Sequence, residues 1–263
     1  MVRRWLSFLL FSISVPAQDH DLIIRNARVV DGTGAPWFAG DVAVRSGRIT
    51  AVGKPVAGTA LDTLDARGLT LAPGFIDIHS HGARGIFENP AAENLIRQGV
   101  TTIIEGPDGS SPLPLPPFFA RLEATRFAVN FGLLVGHGAV RQQVLKTENR
   151  QATPEELERM KALVDQAMRD GAFGLSTGLF YVPGNFASTE EVIELAKVAA
   201  KYGGVHISHM RDEADGVAAS VQETIRIGEE GGLPTQVTHH KIIGRKNWGR
   251  SAETLKLIHA ARA

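Results

Sequence analysis

Apolar and polar positions follow two rhythms along this chain. From Asp21 to Leu71 they alternate in short runs, "DLIIRNARVV", "DVAVRSGRITAVG" and "DTLDARGLTLAP". Turn signals at "DGTGAP", "SGR" and "ARG" separate the runs. Alternation with a period of two marks half-buried strands. The stretch therefore predicts a small β module of hairpins, too short to bury a good core alone.

After Pro73 the apolar runs become continuous: "GFIDIH", "VTTIIEG", "FAVNFGLLVGHG", "AFGLSTG", "GVHISH" and "LPTQVTHH". Helical patterns lie between several of them. "TPEELERMKALVDQAMRDG" opens with Thr153 as N-cap, Pro154 in the first turn and Glu156 at the capping-box position, and closes at Gly171. "TEEVIELAKVAAKYGG" places Thr189 at its start and ends at Gly203-Gly204. Buried strands alternating with helices predict parallel βα units.

Polar residues recur where these strands should end: His79 and His81, Glu105 and Asp108, His137, Ser176 and Thr177, His209, and His239. Successive groups are roughly one βα unit, about 30 residues, apart. In a (β/α)8 barrel the chemistry gathers at the C-terminal strand ends on one face. A doubly wound sheet would want a Gly-rich phosphate turn after an early strand, and the chain has none. The prediction is an α/β fold of the (β/α)8 barrel kind, with about six of the eight strands present. It divides into residues 1–18, a signal peptide; 19–72, a small β segment; and 73–263, an incomplete barrel.

Composition narrows the chemistry. Among 263 residues, 28 Lys plus Arg balance 28 Asp plus Glu, so no net field favours nucleic acid or an anionic membrane. There is no cysteine, which excludes disulfides, thiolate metal sites and cysteine nucleophiles. The N-terminus "MVRRWLSFLLFSISVPAQ" has two arginines, a short apolar run and small residues at Pro16 and Ala17. That layout predicts export with cleavage near Ala17 or Gln18. The run is too short to span a membrane, and no membrane insertion is expected once it is removed.

Two histidines two apart are a weak signal alone, and each histidine taken singly reads more readily as a hydrogen-bonded core residue than as a ligand. Strand alternation would point His79 and His81 to one side. His239 and Lys241 would share a face, with His240 on the other, and His206 would oppose His209. Four imidazoles and a bridging carboxylate would hold one or two Zn2+ ions and leave a position for water. Such a site activates water against a polarised carbonyl.

The stretches "APGFIDIHSH", "GVTTIIEGPDG", "GAFGLSTGLFYVPG", "HISHMRDEADGV" and "THHKIIGRKNWGRS" resemble the N-acyl-D-amino-acid deacylases (D-aminoacylases) of the amidohydrolase superfamily. The resemblance runs from about Leu22 to the last residue, and implies a metal-dependent (β/α)8 barrel with residues 19–72 as a small N-terminal β-sandwich segment. It implies zinc-dependent hydrolysis of the amide bond of a small N-acyl-D-amino acid, giving a carboxylate and a D-amino acid. It implies His209 and His239 as ligands of a tightly bound zinc, and His79 and His81 as ligands of a weaker second metal. Lys241 would meet the substrate carboxylate. Tyr181 would touch substrate, or else pack on the barrel rim. The family's "GNCG" carries a zinc-binding cysteine; here the stretch is "GPDG", which puts Asp108 in its place and makes the site harder and richer in oxygen.

Glu105 is a rival carboxylate. Asp77 is expected to orient a ligand, and His137 is either a residue behind the ligands or a packed one. Hydrolysis of hydantoins, dihydroorotate or isoaspartyl peptides is disfavoured by "RDEADGV" and "GRKNWGRS". The resemblance also implies a general-base aspartate on an eighth strand, beyond Ala263. Six strand signals make the chain read as C-terminally truncated, and the competing expectation is a metal-binding fragment of impaired activity.

Overall fold

The computed structural model describes residues 18–263; the expected signal segment up to Ala17 lies outside the described residues. The chain divides into two compact units, Met1–Pro73 and Gly74–Ala263.

The first unit holds a sheet of five strands: β1 (His20–Val29), β2 (Phe38–Arg45), β3 (Arg48–Gly53), β4 (Ala60–Asp65) and β5 (Thr70–Leu71). β2 and β3 form the expected hairpin. Its two turn residues, Ser46 and Gly47, both have positive φ (50° and 71°), as the turn that matches strand twist requires. The hairpin expectation fails at the other edge, where β4 and β5 pair parallel to β1. Alternation specifies which residues are strand, but not the partner or its direction. Ile23, Ala43 and Val56 form one small core cluster, and Ala27, Val29, Val42 and Ala66 another.

In the second unit six parallel strand positions follow one another in chain order. β6 (Phe75–Asp77), β7 (Val100–Glu105) and β8 (Asn130–Leu133) form one sheet. β9 (Val135–Gly136), β10 (Gly174–Gly178), β11 (Val205–His209) and β12 (Thr235–Val237) form the other. β8 and β9 are halves of one run, "NFGLLVG", interrupted at Leu134. There the chain changes neighbours: Leu134 N–H donates to the Glu105 carbonyl on one side, and Phe173 N–H donates to the Leu133 carbonyl on the other.

Seven helices accompany the strands: α1 (Glu93–Ile96), α2 (Pro116–Thr125), α3 (His137–Leu145), α4 (Pro154–Arg169), α5 (Thr189–Ala200), α6 (Val217–Gly231) and α7 (Ser251–Arg262). α4 carries the expected capping box: Thr153 Oγ1 accepts from Glu156 N–H and Glu156 returns the bond to Thr153 N–H. For α5 the cap is Ser188 rather than Thr189. Ser188 is extended (φ −77°, ψ 161°), so its hydroxyl accepts from Glu191 N–H. Thr189 instead donates its hydroxyl to Glu223, tying α5 to α6. The main core packs Met160, Val164 and Met168 of α4 and Val192, Leu195 and Ala199 of α5 with Leu133, Val135 and Leu175 of the strands. Burial of several such side chains, roughly 1.5–3 kcal/mol each, fixes the strand ends that carry the polar residues.

Candidate metal centre

The "GPDG" loop is built around Asp108. Gly106, Asp108 and Gly109 all have positive φ (81°, 57° and 74°). A Cβ on Gly106 would lie 2.4 Å from the Leu134 carbonyl oxygen, and one on Gly109 would lie 2.8 Å from Gly178 N. Aspartate is among the few residues that tolerate the left-handed conformation. Ser176, in the middle of β10, fastens the loop from both sides. Its hydroxyl donates to the Gly106 carbonyl and accepts from Gly109 N–H. Asp108 is thereby presented from rigid backbone.

Four imidazoles surround that carboxylate. His79 Nε2 and His209 Nδ1 lie 3.5 Å and 3.4 Å from Asp108 Oδ1, and His239 Nε2 lies 3.8 Å from it. His81 Nε2 is 3.3 Å from Oδ2. Two overlapping groups can each converge on one cation, His79–His81–Asp108 and Asp108–His209–His239. Two buried atoms in the first group, His79 Nδ1 and Asp108 Oδ1, have no hydrogen-bond partner within the protein. A buried acceptor left unpaired is costly, and a bound cation would satisfy the Asp108 oxygen. Donor set and unpaired oxygen together fit a metal such as zinc.

The electrostatics agree with that arrangement. Burial works to raise the Asp108 pKa, but the facing imidazoles of His209, His79 and His81 outweigh it and hold the carboxyl below its usual range. Burial, helped by the neighbouring His239 and His81, pushes the His79 imidazole down against the pull of Asp108. A neutral imidazole beside an ionised carboxylate is the protonation state that binds a cation.

His79 and His81 lie beyond β6 and His239 lies beyond β12, with a φ of 35°. Loop geometry, not strand alternation, brings the rings together. Asp77 accepts the backbone N–H of His79 (3.1 Å), so it shapes the loop carrying that ligand candidate. Glu105 stays outside the cluster. Its Oε1 accepts Ala83 N–H at 2.9 Å beneath the His81 turn, and burial pushes its carboxyl up. His137 is a packed residue: fully buried, its Nε2 lies 2.9 Å from Glu191, which also pairs with Arg141. His206 does oppose His209 and hydrogen-bonds Thr177 and Thr235.

Tyr181 packs edge-on against His209 at 4.7 Å between centroids, and burial, then Asp108 and Glu213, raise its phenol pKa. A cavity of about 950 Å3 opens beside the cluster, lined by His81, Asp108, Glu105, Tyr181, Ser110 and Gln142 among others. Lys241 Nζ lies 3.1 Å from His239 Nδ1 and donates to Glu213 Oε1 at 2.7 Å. Glu213 is the residue that sequence reasoning missed. It sits four positions after His209 in "HMRDEADGV", and a carboxylate one helical turn past a ligand candidate was the available signal.

Parallel strands whose ends gather four imidazoles around one carboxylate define an α/β protein with a constellation able to hold metal. The chain belongs to the amidohydrolase family, whose family model matches residues 62–256. It is 38% identical over 270 residues to a D-aminoacylase of Alcaligenes xylosoxydans xylosoxydans, covering 94% of this chain and 56% of the relative. It is 39% identical over 272 residues to an N-acyl-D-aspartate deacylase of the same organism, covering 94% and 54%. The crystal structure of N-acyl-D-glutamate deacylase from Bordetella bronchiseptica, complexed with zinc and a phosphonate inhibitor that mimics the tetrahedral intermediate, superposes with a TM-score of 0.87. That match is at 39% identity over 92% of this chain and 56% of that one. The chain thus spans about half the length of the curated relatives it matches.

Proposed function

We propose that this protein takes part in zinc-dependent hydrolysis of the amide bond of N-acyl-D-amino acids, releasing a carboxylate and a D-amino acid. The observation that carries the reading is the four-imidazole cluster around Asp108, with its unpaired buried oxygen. In it, His209, His239 and Asp108 hold the stronger site, and His79 and His81 complete a second around the shared carboxylate. Zinc, when bound, supplies a Lewis acid that polarises the scissile carbonyl and makes water ionise near neutral pH. Lys241 offers an ammonium to the substrate carboxylate, and Tyr181 flanks the reacting group beside His209. The cavity next to the cluster is of a size that takes a small amide.

The relatives support the substrate class, since D-aminoacylase and N-acyl-D-aspartate deacylase are what the similar proteins are named. Export belongs to the same proposal and rests on the basic, then apolar, then small-residue order of Arg3 to Ala17. The direct test is zinc content followed by deacylation of N-acetyl-D- and N-acetyl-L-amino acids, with and without a chelator. Zinc-dependent release of the D-enantiomer alone is expected. Equal turnover of both enantiomers, or turnover untouched by chelation, would refute it.

A further inference from the structure

Glu213 lies where two parts of the site meet. It is 6% exposed, on the loop between β11 and α6, and that loop is fixed by its own bonds. Asp212 accepts the backbone N–H groups of Ala214 (2.6 Å) and Gly216 (3.0 Å), and Asp212 N–H donates to Ser220. The Glu213 carbonyl accepts Ile243 N–H at 2.7 Å, joining the loop to the segment that carries His239 and Lys241. Its carboxylate then faces three groups. Lys241 Nζ is 2.6 Å from Oε2, His239 Nδ1 is 3.1 Å from Oε1, and His209 Nε2 is 3.8 Å from Oε2.

The chemistry of His239 makes this arrangement consequential. Its Nε2 faces Asp108 and lies 2.9 Å from His209 Nδ1. For Nε2 to offer a lone pair to a metal, the ring proton must sit on Nδ1. Two groups compete for that nitrogen. Glu213 can accept a proton from it, whereas Lys241, 3.1 Å away, can only donate to it. A Lys241 bond to Nδ1 would force the ring proton onto Nε2 and block ligation. Glu213 Oε1 stands 3.1 Å from Nδ1 while its carboxylate also holds the ammonium, so it is the one neighbour of that nitrogen able to accept Nδ1–H and favour the ligating tautomer.

The geometry points to Glu213 as a positioning residue that sets the tautomer of His239 for metal binding and anchors Lys241 beside that ring. This rests on the zinc reading above. It concerns a carboxylate outside both groups that can converge on a cation.

The test is zinc affinity of the full chain, measured by competition with a chromophoric chelator, for the parent, Glu213→Gln, Glu213→Asp and Glu191→Gln. Glu191 is a comparably buried carboxylate on His137 and Arg141, away from the cluster. Glu213→Gln should weaken zinc binding about 10- to 100-fold, the usual effect of removing a carboxylate behind a metal-bound histidine. Glu213→Asp should recover part of the loss, and Glu191→Gln should bind zinc like the parent. Imidazole 15N NMR of the zinc-free protein should show His239 moving toward the Nε2–H tautomer in Glu213→Gln. Parent-like zinc affinity in Glu213→Gln would overturn this inference alone. So would an equal loss in Glu191→Gln, because it would mark a general structural effect. A parent chain that binds no zinc would overturn the metal reading and this inference with it.

Discussion

Acidification from about pH 7.5 to about pH 5.5 should weaken the second unit through one buried imidazole, that of His206. The ring is fully buried on β11, its nitrogens spent on Thr177 (3.0 Å) and Thr235 (2.5 Å). Burial pushes its pKa from 6.5 down to about 3, and nearby His137 adds to the shift. The folded pKa is below the unfolded one, so between these values the unfolded chain binds the extra proton. Stability is therefore intact above 6.5, falls as pH drops toward 3, and falls no further below it. The loss inside the window is about 1.4 kcal/mol per pH unit. One unit below 6.5 the folded state should thus have lost about 1.4 kcal/mol through this residue. Glu105 works in the opposite direction, because burial raises its pKa. His206→Asn keeps Glu105 and removes only the titrating ring, so its effect cancels in the comparison. Urea unfolding with a chelator present, at the two pH values, gives the assay. The parent should lose about 1.4 kcal/mol more than His206→Asn on acidification. Equal losses in both would refute the reasoning.

The choice of carboxylate at the metal centre can be tested by zinc content: Asp108→Ala should lose the metal while Glu105→Ala keeps it, and the reverse would show the wrong residue was assigned. For the exported protein, N-terminal sequencing should begin near Ala17 or Gln18; an intact Met1 would sink the export proposal.

Much of the second unit was legible because its strands are continuous apolar runs and its longer helices carry their own punctuation. Thr153, Pro154 and Glu156 announce α4 through local hydrogen bonding alone, and local information is what a sequence displays. The start of α5 at Thr189 was legible, but its cap was not, for the complementary reason. Ser188 and Thr189 are equally able caps, and a distant partner, Glu223, decides which hydroxyl is free to cap. The same limit explains β4 and β5, whose parallel pairing to β1 depends on where the chain returns, not on what the strands contain.

At the site, residue types were legible and relations were not. Asp108 and the four histidines stand out because strand ends recur along the chain with polar residues on them. Yet the rings converge through the turn after β6 and the strained backbone at His239, neither of which alternation describes. Glu213 shows the limit most clearly. In sequence it is one acid in a charged stretch, "RDEADG", whose bland reading is a solvated loop. Folding places it with 6% exposure against an ammonium and two imidazoles. A buried carboxylate needs such partners to offset its lost hydration, so its burial predicts its company, and burial is set by the tertiary fold. The chemistry of this site therefore depends on a residue whose importance exists only once β11, α6 and the His239–Ile243 segment have come together.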